Sequence, residues 1–389
     1  MKRAALALAI MAVASVLAAA TAMAAVDDAQ RTSAGRDAAL DRALEDLVSM
    51  PGGPPGAIAV VQRGGMRKVH TAGVANLKTG RPIHVNDHMR IASAAKAFSG
   101  AVALSLVSKG TLSLNDTIGE LLPKLPKSWH EITLKQLLNH TSGLPDFSQS
   151  PRFRKALLAS LEKAPPPEKL LSYVKNKDPL FEPGSRYKYS NSDNIAAALM
   201  VESATNKSYE RQLHKQVYGP LGLKETTLPR GPNLEKPYIH GYDNEVSPPP
   251  PEDVSEVIAA GWAWASGGIV STPADLNDFI RGYVGGDLFD RHIRAKQRRV
   301  IEGGRSDPPG PEKNAAGLAV FRYKTRCGTV WGHTGNTLGY TQFVAASPDG
   351  SRSVVVSVNS QLTPNDGAPG VFPALRATER HAVCAALAP

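Results

Sequence analysis

The alternation of apolar and polar positions divides the chain into two strand-rich ends and a helical middle. Near the beginning, the runs Ala57–Gln62 and Arg67–Ala72 are separated by a short glycine-containing turn, which predicts a β-hairpin. A helical pattern over Asp37–Val48 precedes this hairpin. The far end shows three strand-like runs and then a closing helix, at Val330–His333, Gly339–Ala346, Ser351–Val358 and Pro373–Ala386.

The middle of the chain is helical and rich in loops, with proline breaks at 165–167 and 248–251. We therefore expect an α/β (α+β) fold, in which an antiparallel sheet is built from both chain ends and flanked by helices. A mostly helical lobe, residues 98–315, is inserted between the two parts of the sheet lobe, 25–97 and 316–389. The cleft between two such lobes is the natural place for a site.

The first residues predict export. Lys2 and Arg3 precede an apolar, alanine-rich run, and Ala22-Met-Ala24 offers small residues for cleavage, so residues 1–24 are interpreted as a secretory signal peptide. An uncleaved membrane anchor is the alternative, because the run is nearly long enough to span a bilayer. No later stretch approaches that length. We therefore expect a secreted protein without a stable membrane span after cleavage.

Composition adds two expectations. The formal charge is +10, but the basic residues are scattered and are not interleaved with aromatic residues, so we expect no nucleic-acid partner. The densest basic segment, 291–299, is typical of a solvated helix face. Cys327 and Cys384 are the only cysteines, and in an exported chain they predict a disulfide closing 57 residues, worth about 4 kcal/mol, with two buried thiols as the alternative.

The most informative local feature is Ser93-Ala-Ala-Lys96, placed between the strand-like run Met89–Ala92 and the helical run Ala95–Ser108. Positions i and i+3 share one face of a helix, so the lysine amine can reach the serine hydroxyl. Burial and the positive end of the helix dipole both disfavour the protonated amine. The pattern predicts a serine nucleophile with Lys96 as its base.

The same spacing occurs three more times, beginning at Ser160, Ser172 and Ser185. The first two lie in charged, proline-flanked stretches, and the third follows a Pro-Gly turn. These contexts are typical of solvated surface. Ser93 alone passes from an apolar strand into a long apolar helix, which makes it the favoured nucleophile.

A second cluster, Tyr189-Ser-Asn191, lies before the apolar helical run Ile195–Val201. A hydroxyl and an amide two residues apart on a loop can face the same cleft. Tyr189 can relay a proton if a neighbouring ammonium lowers its pKa, and Asn191 can hydrogen-bond a substrate amide. A structural tyrosine followed by an Asx turn is the alternative.

A third cluster, His333-Thr334-Gly335, ends the predicted strand Val330–His333, which we expect at the sheet edge lining the cleft. The Thr334 hydroxyl is then a candidate for binding a substrate carboxylate, and Gly335 permits close approach. The backbone amides of Asn336 and Ser93 are the expected oxyanion hole. A strand-end histidine followed by a turn glycine is the alternative.

In this order, Ser93, Tyr189 and His333 make the chain resemble the serine β-lactamase and penicillin-binding protein superfamily. The similar branch holds class C β-lactamases, D-alanyl-D-alanine carboxypeptidases and related esterases. The resemblance covers nearly all of the chain after residue 24 and is supported by the segments 132–145, 181–191 and 267–276.

The resemblance implies Ser93 as the acylated nucleophile and Lys96 and Tyr189 as the proton-transfer pair. It implies substrate binding by six further residues, Asn191, His333, Thr334, Gly335, Asn336 and Trp262. Most β-lactamases have lysine where this chain has His333, whereas secreted carboxypeptidases of the branch have histidine, which favours a peptide substrate. Trp262 corresponds to a cleft aromatic in those carboxypeptidases, with a core tryptophan as the alternative. Arg322 is a further candidate for holding a carboxylate, with an exposed strand arginine as the alternative.

These features predict a serine hydrolase that works through an acyl-enzyme, foremost a D-alanyl-D-alanine carboxypeptidase. The alternatives are an esterase, amidase or β-lactamase with the same groups, and a penicillin-binding sensor with little turnover. The expected partners are a peptidoglycan-type peptide or small acyl substrate and β-lactam inhibitors. We expect a monomer without metal or cofactor. No Gly-x-Ser-x-Gly occurs, which argues against an α/β-hydrolase.

Overall fold

One seven-stranded antiparallel sheet organises the chain. The computed structural model describes residues 32–243, 250–301, 303–365 and 368–388, so the predicted signal peptide lies outside the described residues. The strands of the large sheet are β1 (Gly56–Arg63), β2 (Met66–Gly73), β7 (Lys313–Ala316), β8 (Phe321–Thr325), β9 (Gly328–Thr337), β10 (Tyr340–Ala346) and β11 (Arg352–Val358). Two-residue strands form two small pairs, β3 (Met89–Arg90) with β6 (Val270–Ser271), and β4 (Tyr242–Asp243) with β5 (Glu252–Asp253).

The sheet joins the two ends of the chain, as the sequence predicts. Its strand order is β2-β1-β11-β10-β9-β8-β7, and β1 pairs with β11 in the register Val60↔Val355. Strand β1 is apolar from Ala57 to Val61, where both of its faces are buried. Ile58 and Val60 pack into the core shared with the helical part, whereas Ala59 and Val61 pack into the core on the opposite face.

Helices cover both faces of this sheet. Helix α1 (32–49) and the closing helix α12 contribute to the core on one face, and the longer helices of the middle segment pack on the other. The remaining helices are α2 (Ala95–Ser108), α3 (Ile118–Leu121), α4 (Leu134–Leu138), α5 (Pro151–Ala159), α6 (Pro167–Ser172), α7 (Asn191–Thr205), α8 (Tyr209–Leu213), α9 (Gly219–Leu221), α10 (Pro273–Gly285), α11 (Arg291–Gln297) and α12 (Val371–Ala386).

Two sequence-based boundaries are wrong, and both concern the site. The predicted strand Met89–Ala92 stops at Arg90, because Ala92–Ala94 form a 3-10 turn that leads directly into α2. Strand β9 does not end at His333 but continues to Thr337, and it lies between β8 and β10 rather than at the sheet edge. Its pairing with β8 ends at Gly332, so within the described residues the last five residues of β9 pair with β10 alone.

The disulfide is confirmed, since Cys327 is bonded to Cys384 and ties the start of β9 to α12. In the basic segment, Arg294 and Arg298 donate hydrogen bonds to the backbone carbonyls of Gly285 and Val284. These two arginines therefore hold the end of α10. None of the helices within the described residues is both long and apolar enough to cross a membrane.

Candidate active site

Ser93 lies where the 3-10 turn Ala92–Ala94 passes into helix α2. The residue before it, Ala92, has a φ of +50°, a left-handed backbone conformation that non-glycine residues rarely adopt. Such strain persists where the surrounding structure fixes it, and it often marks a functional turn. Here the turn leaves Ser93 partly exposed between two buried alanines, so its hydroxyl is accessible from a cavity.

Lys96 is fully buried one turn later, with its amine directed at Ser93. The Lys96 Nζ lies 2.9 Å from Ser93 Oγ, 2.7 Å from Asn191 Oδ1 and 2.6 Å from the Ser266 carbonyl oxygen. A neutral amine has two N–H donors and one lone pair. The two carbonyl-type oxygens take the two donors, so the lone pair faces the Ser93 hydroxyl and can accept its proton.

Burial lowers the pKa of Lys96 from 10.5 to about 7, against the opposing influence of Asp146, Asp193 and Asp307. Loss of hydration disfavours the ammonium more than these carboxyl groups stabilise it. A substantial fraction of Lys96 is therefore neutral near pH 7. The expectation of an amine base agrees with this geometry.

The other three Ser-x-x-Lys segments are arranged differently. Each of their serine hydroxyls donates a hydrogen bond to a backbone carbonyl, Ser160 to Lys163, Ser172 to Lys169 and Ser185 to Glu182. These hydroxyls satisfy local backbone acceptors within turns or helices. Of the four segments, all within the described residues, Ser93-Ala-Ala-Lys96 is the one whose lysine amine is hydrogen-bonded to its serine.

Asn191 begins helix α7 and is held from two sides. Its backbone N–H and its side-chain Nδ2 donate to Asp146 Oδ2 over 3.1 and 3.0 Å. Its Oδ1 accepts the hydrogen bond from Lys96. Asp146 thus fixes the orientation of the Asn191 amide, which in turn orients the Lys96 amine. The sequence-based site did not include Asp146.

Tyr189 reaches the same place from the loop before α7. Its ring lies under the Lys96 amine, with 5.1 Å between Nζ and the ring centroid. The hydroxyl is buried near the Ser93 hydroxyl, but no atom of the described residues forms a well-aligned hydrogen bond with it. Burial raises the pKa of Tyr189 well above its usual value. The condition for the proton relay, a Tyr189 pKa lowered by a neighbouring ammonium, is therefore not met, because desolvation of the phenolate outweighs the influence of the Ser93 hydroxyl.

His333 is also buried and neutral. Burial lowers its pKa to about 3, its Nδ1 lies 2.5 Å from the Thr334 carbonyl oxygen, and its Nε2 has no hydrogen-bond partner among the described residues. The ring is therefore an uncharged neighbour of Lys96, whose ammonium contributes to the lowered His333 pKa.

Thr334 does not present its hydroxyl to the cavity. Successive side chains of a strand point to opposite faces, and Thr334 pairs with Phe343, which packs into the core on the α12 side of the sheet. The hydroxyl donates instead to the Pro308 carbonyl over 2.8 Å. The expected contact between this hydroxyl and a substrate carboxylate is therefore not supported by the arrangement.

Gly335 packs directly against the nucleophile turn. A Cβ atom at this position would lie 2.4 Å from the Ile91 carbonyl oxygen and 3.2 Å from the Ser93 nitrogen, both backbone atoms. This close approach brings β9 beside the Ser93 amide, where an oxyanion hole shared with the Asn336 amide is expected. The side chain of Asn336 is directed elsewhere and donates to the Leu362 carbonyl over 2.5 Å.

We expect Gly335→Ala to lower the rate of acylation by about 10²-fold, because the methyl group must push β9 away from the Ser93 amide. The measurement is the single-turnover rate with a chromogenic ester. Gly65→Ala is the matched control, since a Cβ there meets nothing within 4 Å. Wild-type acylation by Gly335→Ala would show that this contact does not shape the site.

A cavity of about 260 Å³ opens next to Ser93. Its apolar wall is formed by Phe147, Phe153, Leu157, Val254, Ile258, Trp262 and Leu338. Trp262 combines both of its expected roles, since it lines the cavity while its Nε1 donates to the Ser160 carbonyl and its ring packs edge-on against Phe153. Arg90 is the charged residue of the lining, and Arg322 is not part of it.

Sequence reasoning missed three contributions from distant segments. These are Asp146, the Ser266 carbonyl and the apolar wall around Phe153. Asp146 immediately follows the 132–145 segment that supports the family resemblance, which is the one signal that points to it. A backbone carbonyl such as that of Ser266 leaves no trace in the residue pattern.

The fold and the site together define a serine hydrolase in which a buried lysine faces the nucleophile. A family model described as Beta-lactamase matches residues 40–375, and the chain belongs to this family. The seven-stranded antiparallel sheet with flanking helices agrees with the expected β-lactamase/transpeptidase-like fold.

Curated relatives resemble a large part of the chain. Penicillin-binding protein 4* of Bacillus subtilis is 26% identical over 250 residues, which cover 61% of this chain and 53% of that protein. The D-alanyl-D-alanine-carboxypeptidase/endopeptidase AmpH of Escherichia coli K12 is 25% identical over 260 residues, covering 66% of this chain and 64% of that protein. The matches thus span between about half and two thirds of the length of these relatives.

Solved structures match more completely. A D-stereospecific amidohydrolase from a Streptomyces species superposes with a TM-score of 0.75 at 27% identity, covering 87% of this chain and 98% of the other. A D-amino acid amidase from Ochrobactrum anthropi gives a TM-score of 0.78 at 23% identity, covering 90% and 98%. The second similarity supports the fold alone.

Proposed function

We propose that this protein is an exported serine peptidase that cleaves the amide bond after a D-amino acid, with acyl-D-alanyl-D-alanine as its first substrate class. One observation carries the proposal, the buried Lys96 amine with its Nζ 2.9 Å from Ser93 Oγ. This arrangement supports acyl transfer. The D-alanyl substrate is suggested by the similarity to the carboxypeptidase AmpH and to a D-stereospecific amidohydrolase.

In acylation, Lys96 takes the Ser93 proton as Oγ attacks the substrate carbonyl. The Ser93 and Asn336 amides stabilise the resulting oxyanion. Tyr189, which stays protonated because its pKa is raised, donates a proton to the leaving nitrogen, and the Lys96 ammonium can replace that proton. Water then attacks the acyl-enzyme with the same groups acting in reverse and releases the acid.

The acyl part of the substrate fits the apolar cavity beside Ser93. Tyr189, the proposed proton donor, lies on the side of the leaving group. Because Tyr189 does not line the cavity, the cavity belongs to the acyl side of the substrate. The wall around Phe147, Phe153 and Trp262 suits an N-acylated or aliphatic group rather than a free amine, since the cavity lining contains no Asp or Glu.

A second candidate, an amidase with a neutral leaving group, is favoured by Asp307. This exposed residue lies close enough to Lys96 and Tyr189 to influence both groups. It opposes the lowering of the Lys96 pKa by burial and adds to the raising of the Tyr189 pKa. A negative charge on the leaving-group side repels the terminal carboxylate of D-alanyl-D-alanine. An amide or ester without that carboxylate avoids the repulsion.

The two candidates are separated by a matched pair of substrates, an acyl-D-alanyl-D-alanine peptide and its C-terminal carboxamide. A carboxypeptidase releases D-alanine from the free acid at least as fast as it releases D-alaninamide from the amide. An amidase prefers the carboxamide by about tenfold or more. Liquid chromatography of the released amino acids measures both rates, with Ser93→Ala as the blank.

Labelled penicillin and a short-chain ester complete the test. Cleavage of the ester without release of either D-amino product contradicts the peptidase proposal in favour of an esterase. A stable penicillin adduct without turnover of any substrate favours a sensor. Rapid hydrolysis of the penicillin favours a β-lactamase.

A further inference from the structure

The segment 132–145 supports the family resemblance but has no role in the reaction described above. Within this segment, His140 is buried, with 4% of its surface exposed, and has a φ of +59°. A histidine in the left-handed backbone conformation costs conformational free energy that glycine would not cost. Such a conformation persists where the contacts of the residue fix it. The contacts of His140 converge on Tyr189.

Both residues that flank Tyr189 are hydrogen-bonded to His140. The Lys188 N–H donates to the His140 carbonyl oxygen over 2.9 Å, and the Ser190 N–H donates to His140 Nδ1 over 3.5 Å. The His140 ring itself lies 4.5 Å from the Tyr189 ring, centroid to centroid. One residue therefore holds the tyrosine by its backbone on both sides and by its ring.

Asp193 holds His140 in turn. Its Oδ2 lies 2.7 Å from His140 Nδ1, and its Oδ1 accepts a hydrogen bond from Ser142. Asp193 lies on the first turn of α7, two residues after Asn191, and is fully buried. The contact therefore connects the His140 segment to the helix that carries Asn191.

Burial disfavours the charged form of each partner. It lowers the pKa of His140 to about 3 and raises that of Asp193 well above its usual value. Asp193 Oδ2 and the Ser190 N–H both contact the same ring nitrogen, His140 Nδ1. The charged and titratable groups that influence the pair are Lys96 on α2, Asp146 in the loop before α5, Tyr187 in the loop before α7, and His333 on β9.

We propose that His140 is a positioning residue for Tyr189, fixed in its working orientation by its contact with the Asp193 carboxyl. The inference rests on the proposed role of Tyr189 in proton transfer. The Asp193 carboxyl also raises the pKa of Lys96, so the pair lies close to the amine that must lose a proton to act.

A double-mutant cycle with Tyr189→Phe tests the positioning role. His140→Ala is expected to lower kcat/KM for a chromogenic ester by about 30-fold when Tyr189 is present and by less than about threefold in the Tyr189→Phe protein. An equal loss in both backgrounds would mean that His140 supports the fold generally, and it would overturn the inference. Tyr189→Phe alone separately tests the proposed reaction, since a wild-type rate there contradicts the role of Tyr189 itself.

Two further variants keep the test decisive. If His140→Ala does not fold, His140→Asn replaces it in the cycle, because asparagine tolerates the left-handed backbone and its Oδ1 can accept the Ser190 N–H. Asp193→Asn keeps both side-chain contacts without an ionisable group. Because these contacts persist, its loss in kcat/KM is expected to be at most about threefold, and a loss equal to that of His140→Ala would overturn the role of the Asp193 contacts in fixing His140.

Discussion

Ser93→Ala is expected to abolish covalent labelling by penicillin and to lower ester and peptide hydrolysis by on the order of 10⁴-fold or more. The loss is large because Lys96 has no other hydroxyl at hydrogen-bond distance among the described residues. Stability should change little, since Ser93 is partly exposed and alanine follows it in the same turn. Gel fluorography of the labelled protein and initial rates of hydrolysis provide the measurement.

The matched control for this variant is Ser172→Ala, which removes a serine with the same spacing to a lysine. Its hydroxyl donates to the Lys169 carbonyl within α6, so we expect wild-type labelling and turnover. Labelling of the Ser93→Ala protein at the wild-type rate would refute the assignment of the nucleophile.

Lys96 should govern the pH dependence of acylation. Its working form is the neutral amine, and its pKa in the folded protein is about 7. Below that pH the amine is protonated, so kcat/KM should fall about tenfold per pH unit, and above it kcat/KM should level off. Lys96→Met should lower kcat/KM by about 10²- to 10⁴-fold and remove the fall near pH 7, because no base remains on Ser93.

Lys175→Met is the comparison for this variant. Lys175 has the same spacing to Ser172 as Lys96 has to Ser93, but it is exposed. Its replacement should leave both the rate and the pH profile unchanged. A persistent midpoint near pH 7 in Lys96→Met would assign the titration to another group.

Local sequence patterns predicted the elements that carry the nucleophile. Helix α2 follows the predicted run Ala95–Ser108, and the hairpin β1–β2 forms at the glycine turn. Both depend on contacts between near neighbours, with the periodicity of 3.6 in the helix and 2 in the strands. The Ser93–Lys96 contact, one helical turn apart, was predictable for the same reason.

The surroundings of Lys96 were not predictable in this way. Asn191 and Ser266 lie 95 and 170 residues away along the chain, and they meet the amine only after the helical segment has packed against the sheet. The same packing determines which charges are desolvated. It lowers the pKa of Lys96, as the sequence pattern predicted, and raises that of Tyr189, which the pattern did not predict.

Strand β9 shows a third kind of error. Its sequence pattern suggested a strand ending at His333, because Gly335 and the polar residues after it are typical of a turn. In the fold, pairing with β10 continues to Thr337, and Gly335 is needed for close approach to Ser93. The turn-like residues after His333 therefore form a strand, because their pairing with β10 outweighs their local preference for a turn.

The central claim is that a neutral Lys96 makes Ser93 the acylated residue. Rapid acid quenching of the protein with a labelled penicillin or an active ester, followed by digestion and mass spectrometry, locates the acyl group directly. We expect the added mass on the peptide that contains Ser93, with a formation rate that rises through pH 7 in the wild type. An acyl group on the peptide of Ser160, Ser172 or Ser185, or equally rapid labelling of Ser93 in Lys96→Met, would contradict the account.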